Sequence, residues 1–132
     1  MLTIENLVLQ RGGKPVLHGI DLAVAPGTVT ALVGANGAGK SSTVMAVAGA
    51  LPVLSGQIHA DGRPLLRLRP EAVRAAGVAV VPEGHRVLGE LSVLDNLRVA
   101  AGGLPATEVA GAIEAVLQTL PELRSKLADP GR

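Results

Sequence analysis

Gly34-Ala35-Asn36-Gly37-Ala38-Gly39-Lys40-Ser41 lies between two segments of opposite character, and the three together set the fold. Before the octet, Val29-Thr-Ala-Leu-Val33 is a short β-branched and apolar run bounded by Pro26-Gly27 and Gly34, which predicts a buried strand leaving into a turn. After it, Ser41 to Ala50 carries apolar residues at Val44, Val47 and Ala48, which predicts a helix closing near Gly49 ahead of Pro52. The octet matches G-x-x-x-x-G-K-S/T at every fixed position, in the strand-to-helix setting that this pattern requires. A polyphosphate presents several anionic oxygens that need many donors at close range, and glycines let successive backbone N–H groups curl around it without Cβ interference. Lys40 adds a point charge toward the outer phosphates, and the helix start turns its positive end to the same anion. The Ser41 hydroxyl is the usual Mg²⁺ ligand in such a loop, and Ser42 supports the phosphates.

Outward from the octet, Leu2 to Leu9 and Ile20 to Val24 predict strands, the second closed by Ala25-Pro26-Gly27. Gln57 to Ala60 predicts a third, followed by the hairpin signal Asp61-Gly62, so an antiparallel β portion is expected. Pro70 suits the first turn of a helix through Glu71-Ala-Val-Arg-Ala-Ala76, with Gly77 as its C-terminal cap. Val78-Ala-Val-Val81 is continuously apolar, as a parallel strand covered on both faces is, and Pro82 stops it. Ser92 with Asp95 three residues on resembles a capping box for a helix through Leu97 and Val99, which Gly102-Gly103 ends. Thr107 to Leu120 sets Val109, Ala112, Ile113, Val116, Leu117 and Leu120 on one helical face, and the tail after Pro121 is short and mixed. The shift from strand-rich to helix-rich sequence near Gly84 marks a subdomain boundary, and the class is α/β.

At 132 residues the chain is one domain or part of a larger one, which excludes a multidomain enzyme. Apolar residues at 48% and charged residues at 17% exclude disorder, and the absence of Phe, Tyr and Trp leaves the core to Ala, Val, Leu and Ile. A net charge of +1 from 12 basic and 11 acidic residues gives no large basic field, so nucleic acid is not an expected partner and an anionic lipid surface is not a primary one. No apolar stretch reaches the roughly 18 to 20 residues that span a bilayer, and Met1 to Glu5 lacks the succession of a signal peptide, so a cytosolic chain is expected. Zero Cys removes disulfides, thiol nucleophiles and Cys-ligated zinc. His18, His59 and His85 are isolated from one another and read as ordinary surface or turn residues rather than a metal site.

The octet, the upstream Val16-Leu-His-Gly-Ile-Asp-Leu22 and the downstream Leu54-Ser-Gly-Gln-Ile58 and Asp61-Gly62 together resemble the ATP-binding subunit of ABC transporters, over essentially the whole chain. Val81-Pro82-Glu83-Gly84-His85-Arg86-Val87, followed by Leu91-Ser-Val-Leu-Asp-Asn-Leu97, resembles the branched-chain amino-acid importer subfamily most. The resemblance implies a P-loop NTPase (RecA-like) core with an antiparallel β subdomain and the start of a helical subdomain, C-terminally truncated. Residues 1–84 would be the β subdomain and core through the family's Q-loop, and residues 85–132 the start of the helical subdomain. It implies ATP and Mg²⁺ as cofactors, with residues 34–42 on the phosphates. Glu83 falls at the Q-loop position, where most members have Gln and this subfamily has Glu, as a second Mg²⁺ ligand beside Ser41. Arg11 falls where members stack an aromatic ring on adenine, and a guanidinium plane can also stack on a base. Val16 falls at a small apolar base contact. A second ATP-binding subunit, homo- or heterodimeric, and membrane permease subunits are the implied partners, with Arg86, Val87 and Leu88 on the permease side. The implied location is the cytoplasmic face of the cell membrane, held peripherally.

Leu54-Ser55-Gly56-Gln57 imitates the family's signature but follows the loop too soon, and Val78 to Glu83 imitates its Walker B strand but is interrupted by Pro82. Against the family pattern the chain therefore carries no signature, no Walker B acid with catalytic Glu and no switch His. No residue is assigned a catalytic role, and this stretch alone is not expected to hydrolyse ATP. The expected function is the ATP-binding part of an ABC importer that couples Mg-ATP binding and hydrolysis to solute import, with branched-chain amino acids as the solute. The alternative is a catalytically inactive nucleotide-binding remnant or regulatory fragment. A GTPase or small-molecule kinase shares only the phosphate loop, and the base-reading Asn-Lys-x-Asp is absent. A strand or two covering Val78 to Val81 would also be missing, leaving an apolar edge.

Overall fold

The structure is a computed structural model that describes residues 1–81, 83–84 and 87–131. It divides into two compact units, Met1–Val80 and Val81–Arg132. His85 and Arg86, named above as an isolated histidine and a permease-side residue, lie outside the described residues, as does the strand-stopping Pro82.

The first unit is built on a four-stranded antiparallel sheet in the order β2-β1-β3-β4. Strands β1 (Leu2–Arg11) and β2 (Lys14–Val24) form a long hairpin closed by Gly12 and Gly13, both at positive φ. That is the two-residue turn whose twist suits paired strands. Strand β3 (Ser55–Ala60) pairs with the other edge of β1 and turns at Asp61-Gly62, again both at positive φ, into the two-residue β4 (Arg63–Pro64).

Ile4, Leu7 and Leu9 of β1 are all buried, although a spacing of three would put Ile4 and Leu7 on opposite faces of a regular strand. The register with β2 shifts between Ile4 and Leu7, where Asn6 takes φ +46°. This irregularity returns Leu7 to the face that Ile4 occupies. The Asn6 N–H, taken out of the ladder, donates to Asp21 Oδ1 at 2.8 Å.

Helix α1 (Lys40–Val47) lays Ala46 and Val47 on this core, and α2 (Pro70–Ala75) adds Val73; Leu17, Ile58 and Leu65 complete it. Both helices end on glycines at positive φ, Gly49 and Gly77, as their sequence predicts. In the second unit α3 (Val93–Ala100) starts at Ser92, whose hydroxyl accepts the Asp95 N–H at 3.1 Å and donates to the Asp95 carboxylate at 2.7 Å. Helix α4 (Ala106–Thr119) half-buries Val109, Ala112, Ile113 and Val116, buries Leu117 and leaves Leu120 exposed, before a 3-10 turn at Pro121–Lys126.

Two expected strands do not form. Residues 29–33 and 78–81 have no ladder partner among the described residues, and Val29, Val33 and Val81 are 100%, 88% and 95% exposed. A continuously apolar run is fit for the middle of a parallel sheet, but a strand exists only through neighbours that take its N–H and C=O groups. The antiparallel sheet of the first unit does not extend to them.

Candidate functional site

The glycine-rich octet leads from the unpaired residues 29–33 into α1, and its geometry is set at both ends. Gly39 caps the helix at φ +91°, and a Cβ there would lie 2.5 Å from Leu17 Cδ2 and 3.2 Å from the Val16 carbonyl. Only glycine combines that backbone conformation with so close an approach to β2. Its carbonyl accepts twice from the next turn, from the Thr43 N–H at 2.8 Å and the Thr43 hydroxyl at 3.0 Å, and Thr43 is buried. At the other end the Ala38 N–H donates to the Ala35 carbonyl at 3.2 Å, which closes residues 35–38 into a turn.

Lys40 reaches back over this turn. Its ammonium donates to the carbonyls of Gly34 at 2.7 Å and Ala35 at 2.8 Å, so the positive charge rests on the loop itself. Gly34, Ala35, Asn36, Gly37 and Ala38 are exposed, and the first turn of α1 contains no acidic residue. A donor-only charge, an exposed glycine-rich loop and a helix start without an acidic residue therefore lie together, a set that fits an anion with several oxygens. Ser41, the first-turn hydroxyl, is exposed and Ser42 is half-buried. A divalent cation held beside such an anion would find a hydroxyl oxygen at Ser41, a hard ligand of the kind Mg²⁺ takes. Among the described residues no cluster of His, Asp or Glu forms a metal site of its own.

Val16 is half-buried on β2, and its carbonyl approaches Gly39, so strand and loop are neighbours. Arg11 is the last residue of β1, exposed, opposite Lys14 across the Gly12-Gly13 turn. The register carries Arg11 and Val16 on one hairpin whose Leu17 lies under the loop. Glu83 is exposed and belongs to the second unit, apart from these residues in the division of the chain.

Leu17 and Thr43 were absent from the sequence-derived site. Each acts through Gly39, one by packing beneath it and one by bonding its carbonyl. Thr43 carried a signal, since a helical threonine can bond the carbonyl four residues back; the signal is local and names no function.

A family model described as ABC transporter matches residues 17–129, which includes the whole loop. The chain belongs to the ABC transporter family. The high-affinity branched-chain amino acid transport ATP-binding protein BraG of Pseudomonas aeruginosa is 32% identical over 126 residues, covering 96% of this chain and 54% of that protein. The hemin import ATP-binding protein HmuV of Jannaschia sp. is 40% identical over 99 residues, covering 75% of this chain and 36% of that protein. The chain thus spans about half the length of the first of these relatives or less. The crystal structure of a nucleotide-free ATP-binding cassette from an ABC transporter superposes with a TM-score of 0.85 at 23% identity, over 99% of this chain and 57% of that one, which shows a shared fold. This ABC chain is accordingly a P-loop NTPase fold with an antiparallel sheet, as the sequence implies. No helix among its described residues is long and apolar enough to cross a membrane.

Proposed function

We propose that this chain is the nucleotide-binding part of an importer's ATP-binding subunit and that it holds Mg-ATP on residues 34–42. The observation that carries this reading is the Lys40 ammonium resting on the Gly34 and Ala35 carbonyls, beside an exposed loop and an acid-free helix start. On binding, that ammonium moves from two neutral carbonyls to the phosphate oxygens, a stronger charge-assisted contact. Gly39, locked on β2, fixes where the loop's amides point, so their positioning entropy is spent on folding rather than on binding. Ser41 holds the Mg²⁺, while Val16 and the Arg11 guanidinium contact the base. Mg-ATP supplies the free energy that drives the importer's cycle.

Residues 1–84 form the β subdomain and nucleotide core, and residues 85–132 open the helical subdomain that meets the permease. Val87 and Leu88, exposed and apolar, suit that contact. Dimerisation with a second ATP-binding subunit and attachment to the cytoplasmic face of the membrane follow from the same reading. Branched-chain amino acids are the proposed solute, because the Glu83-Gly84 pattern and the likeness to BraG point the same way; HmuV, at comparable likeness, names hemin as the rival.

Calorimetric titration of Mg-ATP into the chain and into Lys40→Ala tests the binding claim. The variant should lose at least about a hundredfold in affinity, the worth of a charge-assisted contact pair. Equal affinity in the two proteins would remove it.

A further inference from the structure

The chain contains three asparagines, Asn6, Asn36 and Asn96, and they stand in different chemical situations. Asn6 precedes Leu7, which is fully buried. Asn96 precedes Leu97, and its amide is held by Leu88 N–H at 2.8 Å, Leu88 O at 2.9 Å and Ser92 O at 3.0 Å. Asn36 is exposed in the middle of the phosphate loop, its side chain takes part in no hydrogen bond among the described residues, and it precedes Gly37. Around Gly37 the space is open, with nothing within 4 Å of where a Cβ would stand.

We propose that Asn36 is a self-modification site whose conversion to a carboxylate weakens polyphosphate binding by the loop. The Gly37 backbone nitrogen attacks the Asn36 Cγ, forming an N–Cγ bond as the Cγ–Nδ2 bond breaks, and ammonia leaves with the amide proton. Water then opens the five-membered imide at one carbonyl or the other, giving aspartate or isoaspartate. The sum is asparagine and water in, acid and ammonia out, with no oxidant and no enzyme. A following glycine is the partner that least shields the attacking nitrogen, and an unbonded, exposed asparagine is the one freest to meet it. Asparagine is among the thermolabile residues for this kind of reason.

The consequence lies in the charge. The formal net charge of +1 falls to zero, and the new negative charge lies one residue beyond the carbonyls that hold the Lys40 ammonium. There it repels phosphate oxygens and offers Lys40 a competing partner. The isoaspartate form also lengthens the backbone by one carbon inside the turn closed by Ala38 N–H and Ala35 O. Phosphate engaged by the loop's amides opposes the attack, so occupancy protects the site.

This inference rests on the proposed Mg-ATP binding, and the experiment separates the two. The chain is held in mildly alkaline buffer at physiological temperature, with and without Mg-ATP, beside a reference peptide containing Asn-Gly, and is mapped by mass spectrometry. The Asn36 peptide should gain about one dalton and score for isoaspartate, more slowly with Mg-ATP, while the Asn6 and Asn96 peptides stay unchanged; the assignment follows the thermolability argument. Modified and unmodified chains are then separated by anion exchange, and the modified one should bind Mg-ATP at least about tenfold more weakly, as expected of one opposed charge in a partly screened site. Asn36→Asp should show the same loss. An Asn36 peptide that stays intact while the reference peptide converts overturns the site. Equal Mg-ATP affinity of modified and unmodified chains overturns its consequence. An unmodified chain that does not bind Mg-ATP overturns the proposed function and that consequence, while the mass map still decides the chemistry.

Discussion

Gly39 and Leu17 show how a binding loop is held by residues that touch no ligand. A methyl at position 39 meets Leu17 Cδ2, the movable end of a side chain, and the Val16 carbonyl, which is backbone and cannot yield as readily. With φ at +91° as well, Gly39→Ala is expected to cost about 2–3 kcal/mol of stability in urea unfolding. Leu17→Ala removes a side chain with 2% exposure from the core and should cost about 2–4 kcal/mol. In the double variant the new methyl finds part of that cavity, so its loss should fall short of the sum of the two single losses by about 1 kcal/mol. Strict additivity would mean that the Leu17 contact is not what confines position 39. The octet's role was legible in sequence because its pattern is contiguous and its chemistry local. Leu17 was not legible, since it lies 22 residues away and only the folded register of β2 brings it under the loop.

At the scale of elements, the signals that act within a few residues came through. The Asp61-Gly62 turn, the Pro70 start and Gly77 stop of α2, and the Ser92 cap with Asp95 all form as expected. The Gly12-Gly13 turn is of the same local kind, two glycines at positive φ closing β1 onto β2. The misassigned segments are those whose identity depends on neighbours: residues 29–33 and 78–81 have strand composition without a ladder. The helical unit also carries an acid-sensitive component. Asp95 is held below the ordinary carboxylate range first by the hydrogen bond from Ser92 and then by Arg98 at 3.0 Å, and Glu114 is held below it by the Arg124 guanidinium. Because both folded-state values lie below the unfolded ones, the unfolded chain takes up protons first. The stabilisation is therefore complete above the ordinary aspartate and glutamate range and is lost as pH falls through it toward the folded values. Both pairs are exposed, so the effect is modest and shrinks in salt. Urea unfolding followed by circular dichroism at a series of pH values should find stability falling more steeply with acid in the native chain than in Asp95→Asn, whose cap no longer titrates, with the two converging below the ordinary aspartate range. Superimposable acid profiles would show that this cap contributes nothing to the pH dependence.

Across the whole molecule, burial is uneven in a way that composition conceals. An apolar content of 48% leads to a core of Ile4, Leu7, Leu9, Leu17, Ile58, Leu65 and Val73, with Ala46 and Val47 of α1, all aliphatic as the missing aromatics required. The same composition leaves Val29, Val33 and Val81 almost wholly in water. β-branched residues in an extended, unpaired run carry open N–H and C=O groups beside apolar side chains, which is the surface that recruits another strand. The 132-residue chain is therefore expected to self-associate, with sedimentation velocity showing larger species as concentration rises. Replacing Val29 and Val33 by Thr keeps the β-branch and the backbone while lowering the apolar character, so it should shift the distribution toward monomer. Thermal unfolding should be little changed, because neither side chain packs on the core. If both proteins stay monomeric over the whole range, the open run is not an adhesive edge and its exposure has no consequence for the chain's behaviour in solution. If both associate equally, association runs through another surface, and the exposed apolar positions of the second unit, Val87 and Leu88 among them, become the next to replace.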